Sequence, residues 1–228
     1  MYYNIRNRYN SYFLKRLLQN LLNFLLPRTK QAEKIAKLSA EELLKTARPA
    51  NKPPIIDVHS VFSYNDSLIK NAIWLLKYSK NQDSVKIFGE ILGSIATEWL
   101  EDLRTFENFD NPMIIPIPMG KVRLRERGKN HCESICEEML KIIPLNVAGY
   151  EPQGLRKIRE TKSQTKTKNR IDRLKNLSNS FEANPKIVFG RNVILVDDVV
   201  TTGATIEEAR KTLLGAGARK VIALTIAH

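Results

Sequence analysis

Residues 193 to 205 read VILVDDVVTTGAT: four aliphatics, two adjacent aspartates, then threonines broken by one glycine. An aliphatic run flanked by polar residues is the pattern of a strand buried on both faces, as in a parallel sheet. Ending it on Asp197 and Asp198 has an electrostatic cost, because adjacent carboxylates repel and each loses hydration in a cleft. Something at the strand's end must therefore use them. Gly203 lets the backbone turn tightly and leaves room for an anion. The amides of residues 202 to 205 and the hydroxyls of Thr201, Thr202 and Thr205 then converge on a phosphate at the start of a helix. Thr205 and Glu208 have the spacing of a capping box, which sets the helix start there, and Gly215 or Gly217 supplies its stop. Acids for vicinal hydroxyls beside donors for phosphate describe a ribose 5-phosphate site. A doubly wound fold with strand-end carboxylates for some other ligand, or for Mg2+, has the same local pattern.

Cations gather in two further places. Lys121, Arg123, Arg125, Arg127 and Lys129 form one group. The second is Arg156, Lys157, Arg159, Lys162, Lys166, Lys168, Arg170, Arg173 and Lys175, opposed by Glu160 and Asp172. The chain of 228 residues carries a formal net charge of +13, which points to polyanionic partners: nucleic acid, phosphorylated small molecules or an acidic membrane surface. The second group exceeds what one small phosphorylated ligand needs, so a polynucleotide is a second candidate partner. That group is poor in aromatics, which argues against its being a base-stacking platform.

The elements that must hold these residues follow from periodicity. Leu68, Ile69, Ala72, Ile73 and Leu76 share a helical stripe within 66–80, and Val85, Phe88, Ile91, Leu92, Ile95, Trp99 and Leu103 share another within 83–103. PMIIPIP (112–118) reads as a short strand closed by prolines, MGKVRLRERGKN as a basic loop, and HCESICEEMLKII as a helix. KIVFGRNVILV leads into the acidic strand, and RKVIALTIA forms a further strand. Alternating strands and helices predict an α/β fold, a mostly parallel central sheet with flanking helices. Upstream, residues 1–54 read as a helical extension and linker, and 55–228 as the main domain. The extension includes a leucine stripe (Leu14, Leu17, Leu18, Leu21, Leu22 and Leu25) too often interrupted by Lys15, Arg16, Gln19 and Asn20 to span a bilayer or serve as a signal peptide. It predicts an amphipathic helix docked on the protein itself, with binding to a membrane surface as the alternative, and the expected compartment is the cytoplasm. Two cysteines, Cys132 and Cys136, imply no disulfide framework. With His131 they lack the paired spacing of a zinc site, and core packing is their expected role.

Every position of VILVDDVVTTGAT is similar to the phosphoribosyl-pyrophosphate (PRPP) motif of type I phosphoribosyltransferases. The resemblance implies that fold, with Asp197 and Asp198 on the ribose hydroxyls. It implies that Thr201, Thr202, Gly203, Ala204 and Thr205 cradle the 5-phosphate, with Mg2+ accompanying PRPP. Residues 60–228 further resemble the ComF family, associated with competence and DNA uptake. AIWLLKY (72–78), PIPMGKVRLRERGKN (116–130) with its turn of Arg127, Gly128 and Asn130, and LRKIRETKSQ with Arg173, Asn176 and Phe181 carry that likeness. Family loops that close on pyrophosphate would here supply Lys121, Arg123, Arg127, Arg156, Arg159, Gln164 and Arg173. The four-cysteine zinc module common in that family has no counterpart before Cys132, and one extra residue separates Gln164 from Arg173.

Two functions follow as expectations. One is transfer of ribose 5-phosphate from PRPP to a nitrogen nucleophile with release of pyrophosphate, tied to DNA uptake. The other is a non-catalytic module that binds nucleotide and single-stranded DNA and works with a helicase-like partner, as the resemblance suggests. Purine-salvage members typically have an aspartate three residues after the second acid. Thr201 stands there, and a threonine hydroxyl is too weak a base near neutral pH. A hypoxanthine- or guanine-type acceptor is therefore not expected.

Overall fold

The computed structural model describes residues 35, 37–51, 53, 55–78, 82–144, 146–160 and 178–228. In chain order the elements are α1 (Ala40–Thr46), β1 (Val58–Phe62), α2 (Ser67–Tyr78), α3 (Gln82–Glu107), β2 (Met113–Pro116), α4 (Lys121–Arg127), α5 (His131–Met139), β3 (Gly149–Tyr150), β4 (Leu155–Lys157), β5 (Phe181–Ala183), α6 (Pro185–Val188), β6 (Asn192–Val199), α7 (Ala204–Gly215) and β7 (Lys220–Ala227). Five strands form one sheet in the order β1-β7-β6-β2-β3, and every pairing in it is parallel. This is the α/β architecture expected from the alternation of strand and helix patterns. β4 and β5 make a separate antiparallel pair.

The two long strands, β6 and β7, lie at the centre and are aliphatic on both faces, because helices cover both. Alternation along β6 sorts its side chains. Ile194 and Val196 join Ile69, Ile73, Phe88, Ile91, Ile135 and Met139 in a core with α2, α3 and α5. Val193 and Leu195 join Leu155, Phe181, Ile206, Ala209 and Leu213 in a second core with α7 and the hairpin. Continuing the alternation, successive residues at the end of β6 must face opposite sides of the sheet.

Residues upstream of β1 contribute to the first core. Ile35, Leu43 and Ala47 are buried there, and the chain at 48–50 runs antiparallel beside β1, with Ala50 N donating to Val61 O and Ser63 N to Arg48 O. Ser39 and Glu42 form a reciprocal capping box on α1. None of the described helices is long and apolar enough to cross a membrane.

One expected loop is a helix. Residues 121–127 form α4, which buries none of its side chains and so offered no apolar stripe to read. Its start is fixed from afar, by Glu160 Oε1 accepting from Val122 N at 3.1 Å. β1 and the β4–β5 hairpin also carried no clear period, being short strands of mixed polarity. The leucine stripe of 14–25 and the basic segment 161–177 lie outside the described residues.

Candidate functional site

β6, the turn after it and the first turn of α7 enclose a hollow of about 250 Å³ lined by Asp197 and residues 199–206. Strand register with β7 holds it in place. Asp197 lies opposite Thr225 of β7, and Val200 N donates to Ala227 O beyond the strand's end. Gly203 makes the turn at φ 80°, in the left-handed region that L side chains avoid. A Cβ there would fall 1.5 Å from Ile55 Cδ1, so the glycine is also needed to let Ile55 pack beneath the loop.

α7 begins at Ala204 with Gly203 as its N-cap and no side-chain cap. The expected capping box is therefore not formed. Thr205 is already the second helical residue, and Glu208 instead accepts from Asn179 N at 2.5 Å. Without a side-chain cap, the first-turn amides and the positive end of the helix dipole face the hollow, as anion binding requires. Thr201 is exposed, while Thr202 and Thr205 are half-buried along the wall.

The two aspartates part company. Asp197 lines the hollow, and its Oδ1 accepts from Asp198 N at 2.9 Å and lies 3.7 Å from Cys132 Sγ. Asp198 is buried on the opposite side of the sheet. Its Oδ2 accepts from Lys77 Nζ of α2 at 2.8 Å and lies 2.6 Å from His131 Nε2 of α5. Arg127 Nη1 stands 3.4 Å from His131 Nδ1. A guanidinium only donates, so Nδ1 accepts and the ring proton sits on Nε2, facing Asp198.

These surroundings push the two carboxyls apart. Burial, and then the charge of Asp198, push Asp197 up to about 7. Burial also opposes the charge on Asp198, but Lys77 and then His131 outweigh it and hold that carboxyl well below the ordinary range. Lys77 is moved the opposite way: burial disfavours its charge, and Asp198 more than restores it. The thiols of Cys132 and Cys136 are buried in this region and pushed well up, Cys132 first by burial and then by Asp197.

The basic candidates divide between three places. Lys121 and Arg123 lie at the start of α4, which is tied to Glu160, and the charges of Arg123, Glu160 and Asp197 all bear on Lys157. Arg127 lies on the Asp198 side, its guanidinium 5.2 Å from the Tyr78 ring centroid. Arg156 pairs with Glu182 across the hairpin, and Arg159 Nη2 donates to Ser178 O at 2.7 Å. Gln164 and Arg173 lie outside the described residues. The turn of Arg127, Gly128 and Asn130 is explained by its caps. Gly128 closes α4, and Asn130 opens α5 by accepting from Cys132 N while its amide donates to Ile117 O after β2. Sequence reasoning did not single out Lys77, His131 or Lys157 for the acidic pair. Lys77 and His131 belong to helices read as core, and only the fold shows which acid they meet.

Residues 140–228 match the phosphoribosyl transferase domain family. The competence protein ComFC of Streptococcus pneumoniae is 28% identical over 162 residues, covering 71% of this chain and 64% of that one. The DNA utilization protein YhgH of Escherichia coli O157:H7 is 29% identical over 146 residues, covering 64% of this chain and 61% of that one. ComFC of Bacillus subtilis is 29% identical, covering 69% and 58%. The chain thus matches about three fifths of the length of these relatives. Among solved structures, the glutamine PRPP amidotransferase of B. subtilis aligns with a TM-score of 0.36 at 18% identity, covering 68% of this chain and 30% of that one. A hypoxanthine phosphoribosyltransferase of Staphylococcus aureus aligns at 0.34 and 10% identity, covering 60% and 62%. The chain is thus similar to the phosphoribosyl transferase domain family over residues 140–228, and over most of its length to the ComFC and YhgH proteins.

Proposed function

We propose that the hollow after β6 binds the 5-phosphoribosyl unit of PRPP and that the protein transfers this unit to a nitrogen nucleophile. The supporting observation is the juxtaposition of an uncapped α7, turned in by Gly203, with Asp197 in the same hollow. The 5-phosphate accepts from the loop amides and from the hydroxyls of Thr201, Thr202 and Thr205. Asp197 accepts from a ribose hydroxyl. Asp198 acts from behind, ion-paired to Lys77, as a fixed charge that raises its neighbour. In the transfer the nucleophile's nitrogen bonds to C1 of the ribose, the bond from C1 to the pyrophosphate oxygen breaks, and pyrophosphate leaves with the electron pair. Arg123, Lys157, Arg159 and Arg173 supply the cationic side for that leaving group, and Gln164 a neutral amide donor.

Mg2+ enters as part of the substrate, chelated by PRPP. A hard cation takes oxygen donors, and Asp197 is the strand-end carboxylate that faces the hollow, Asp198 being engaged by Lys77 and His131. Residues 55–228 act as the functional unit in this reading, in the cytoplasm, where PRPP is available. The basic group beyond residue 156 also supports a second partner, a polynucleotide, because its cations outnumber the charges of one pyrophosphate.

The test is pyrophosphate release from PRPP and Mg2+ with each common nucleobase and with simple amines in turn. Release with an acceptor other than hypoxanthine or guanine, lost in Asp197→Ala, is the expected result. Rapid release with either purine would refute the inference from Thr201. No release and no PRPP binding under any condition would refute the pocket.

A further inference from the structure

Cys132 and Cys136 are both buried, but they differ in what surrounds them. Cys136 is part of the first core, while Cys132 is a member of neither core. Its place in the first turn of α5 is fixed through Asn130. Cys132 N donates to Asn130 Oδ1 at 3.1 Å, and the amide of Asn130 donates to Ile117 O at 3.1 Å, which ties this turn to the chain just after β2. From there Cys132 Sγ donates to Asp197 Oδ1 at 3.7 Å. A thiol is a weak donor, and this one keeps its proton. Burial, and then the charges of Asp197 and Asp198, push it well up. It therefore donates to the carboxylate instead of repelling it.

We infer that Cys132 is a positioning residue for Asp197, turning its carboxylate so that Oδ1 faces the protein and Oδ2 faces the ribose hydroxyl. The inference rests on the PRPP reading of the hollow. Oδ1 takes two donors, the thiol and Asp198 N at 2.9 Å, whereas Oδ2 accepts from no described residue. Two donors on one oxygen oppose rotation of the carboxylate more than the single bond from the neighbouring backbone would. An acceptor already turned toward its ligand loses less freedom when the ligand arrives. The kind of donor matters as well. A lysine in this place would pair with Asp197 and compete with the sugar, as Lys77 pairs with Asp198. A neutral thiol directs the carboxylate without neutralising it.

Infrared spectra of the unliganded protein read the contact directly, because S–H stretching falls in a window free of other protein bands. Cys136→Ala assigns the band of Cys132, and Cys132→Ala assigns it by loss if that variant does not fold. The band should lie below that of a free thiol and move up in Asp197→Ala. Calorimetry with PRPP and Mg2+ reads the consequence. Cys132→Ala should bind about two- to tenfold more weakly, and Cys132→Ser, with its donor on a shorter arm, should fall between that variant and wild type. In an Asp197→Ala background, Cys132→Ala should have no further effect, because the group it directs is gone. A thiol that only supports the fold would weaken binding equally in both backgrounds, and that result would overturn the inference. So would a band unmoved by Asp197→Ala, or equal PRPP affinity of wild type and Cys132→Ala. Each of these results would leave the PRPP hollow standing. Absence of PRPP binding by wild type would remove that reading and the inference with it.

Discussion

The two faces of the sheet treat neighbouring aspartates in opposite ways. On the α7 side, Asp197 looks into a hollow whose other groups are amides and hydroxyls, and its carboxyl is pushed up to about 7. On the α2 and α5 side, Asp198 is buried against Lys77 and His131 and stays ionised far into acid. The same strand thus ends in one acid ion-paired within the protein and one that faces the hollow. The fixed charge behind the sheet helps to make the open acid a stronger hydrogen-bond acceptor, at some cost to the fold without ligand. Strand alternation produces this division, since consecutive residues cannot share a face.

Breaking the buried side should have the largest effect on stability. Lys77→Met leaves Asp198 buried with only His131, and should cost about 3 kcal/mol and lower Tm by roughly 6 to 12 °C. Adding Asp198→Asn should recover part of that loss, because no uncompensated charge remains. Additive losses in the double variant would mean that the two side chains do not act as a pair.

Gly203→Ala attacks the open side through the backbone. The left-handed turn and the contact with Ile55 together predict a loss of about 2 kcal/mol and abolished PRPP binding. Thermal unfolding and calorimetry read the two effects separately, and an unaltered Tm would contradict the packing described for Ile55.

The pH dependence separates the two acids by sign. Asp198 has a depressed carboxyl, so its stabilising contribution is present above the ordinary aspartate range and is lost as pH falls below about 4. Asp197 has a raised carboxyl, so its contribution is complete below that range and is lost as pH rises through about 7. Asp197→Asn should therefore raise Tm at about pH 8 by roughly 2 to 4 °C per kcal/mol relieved, and give little gain near pH 4. A stabilisation independent of pH would point to something other than the titration of Asp197. The smallest effect belongs to Arg156. Its pair with Glu182 is solvent-exposed, and Arg156→Ala should change stability by less than about 1 kcal/mol.

The site was legible in sequence where it is local. Strand, acids, glycine turn and helix follow one another within residues 193–215, so spacing alone located them, although the helix starts at Ala204 on a glycine rather than on a threonine cap. The division of labour between the acids was not legible. His131 lies 67 residues from Asp198 in the chain, and Lys77 farther still. Only the packing of α2 and α5 on one face of β6 brings them together. α4 was hidden for a related reason, since a helix with no buried side chain leaves no hydrophobic period and takes its start from a distant Glu160. Cys132 stands in a helix read as core, and its contact with Asp197 could be known only once α5 was placed beside β6.

The central claim is that Asp197 receives the sugar while Asp198 stays engaged by Lys77 and His131. Calorimetric titration of PRPP with Mg2+ into wild type and Asp197→Asn, on either side of the pH at which Asp197 titrates, tests it most directly. Charge-assisted hydrogen bonds contribute about 1.5 to 3 kcal/mol, so the variant should bind about ten- to a hundredfold more weakly above that pH. Wild-type affinity should fall toward that of the variant as pH drops below about 7. Equal affinities for the two proteins at every pH would contradict the assignment.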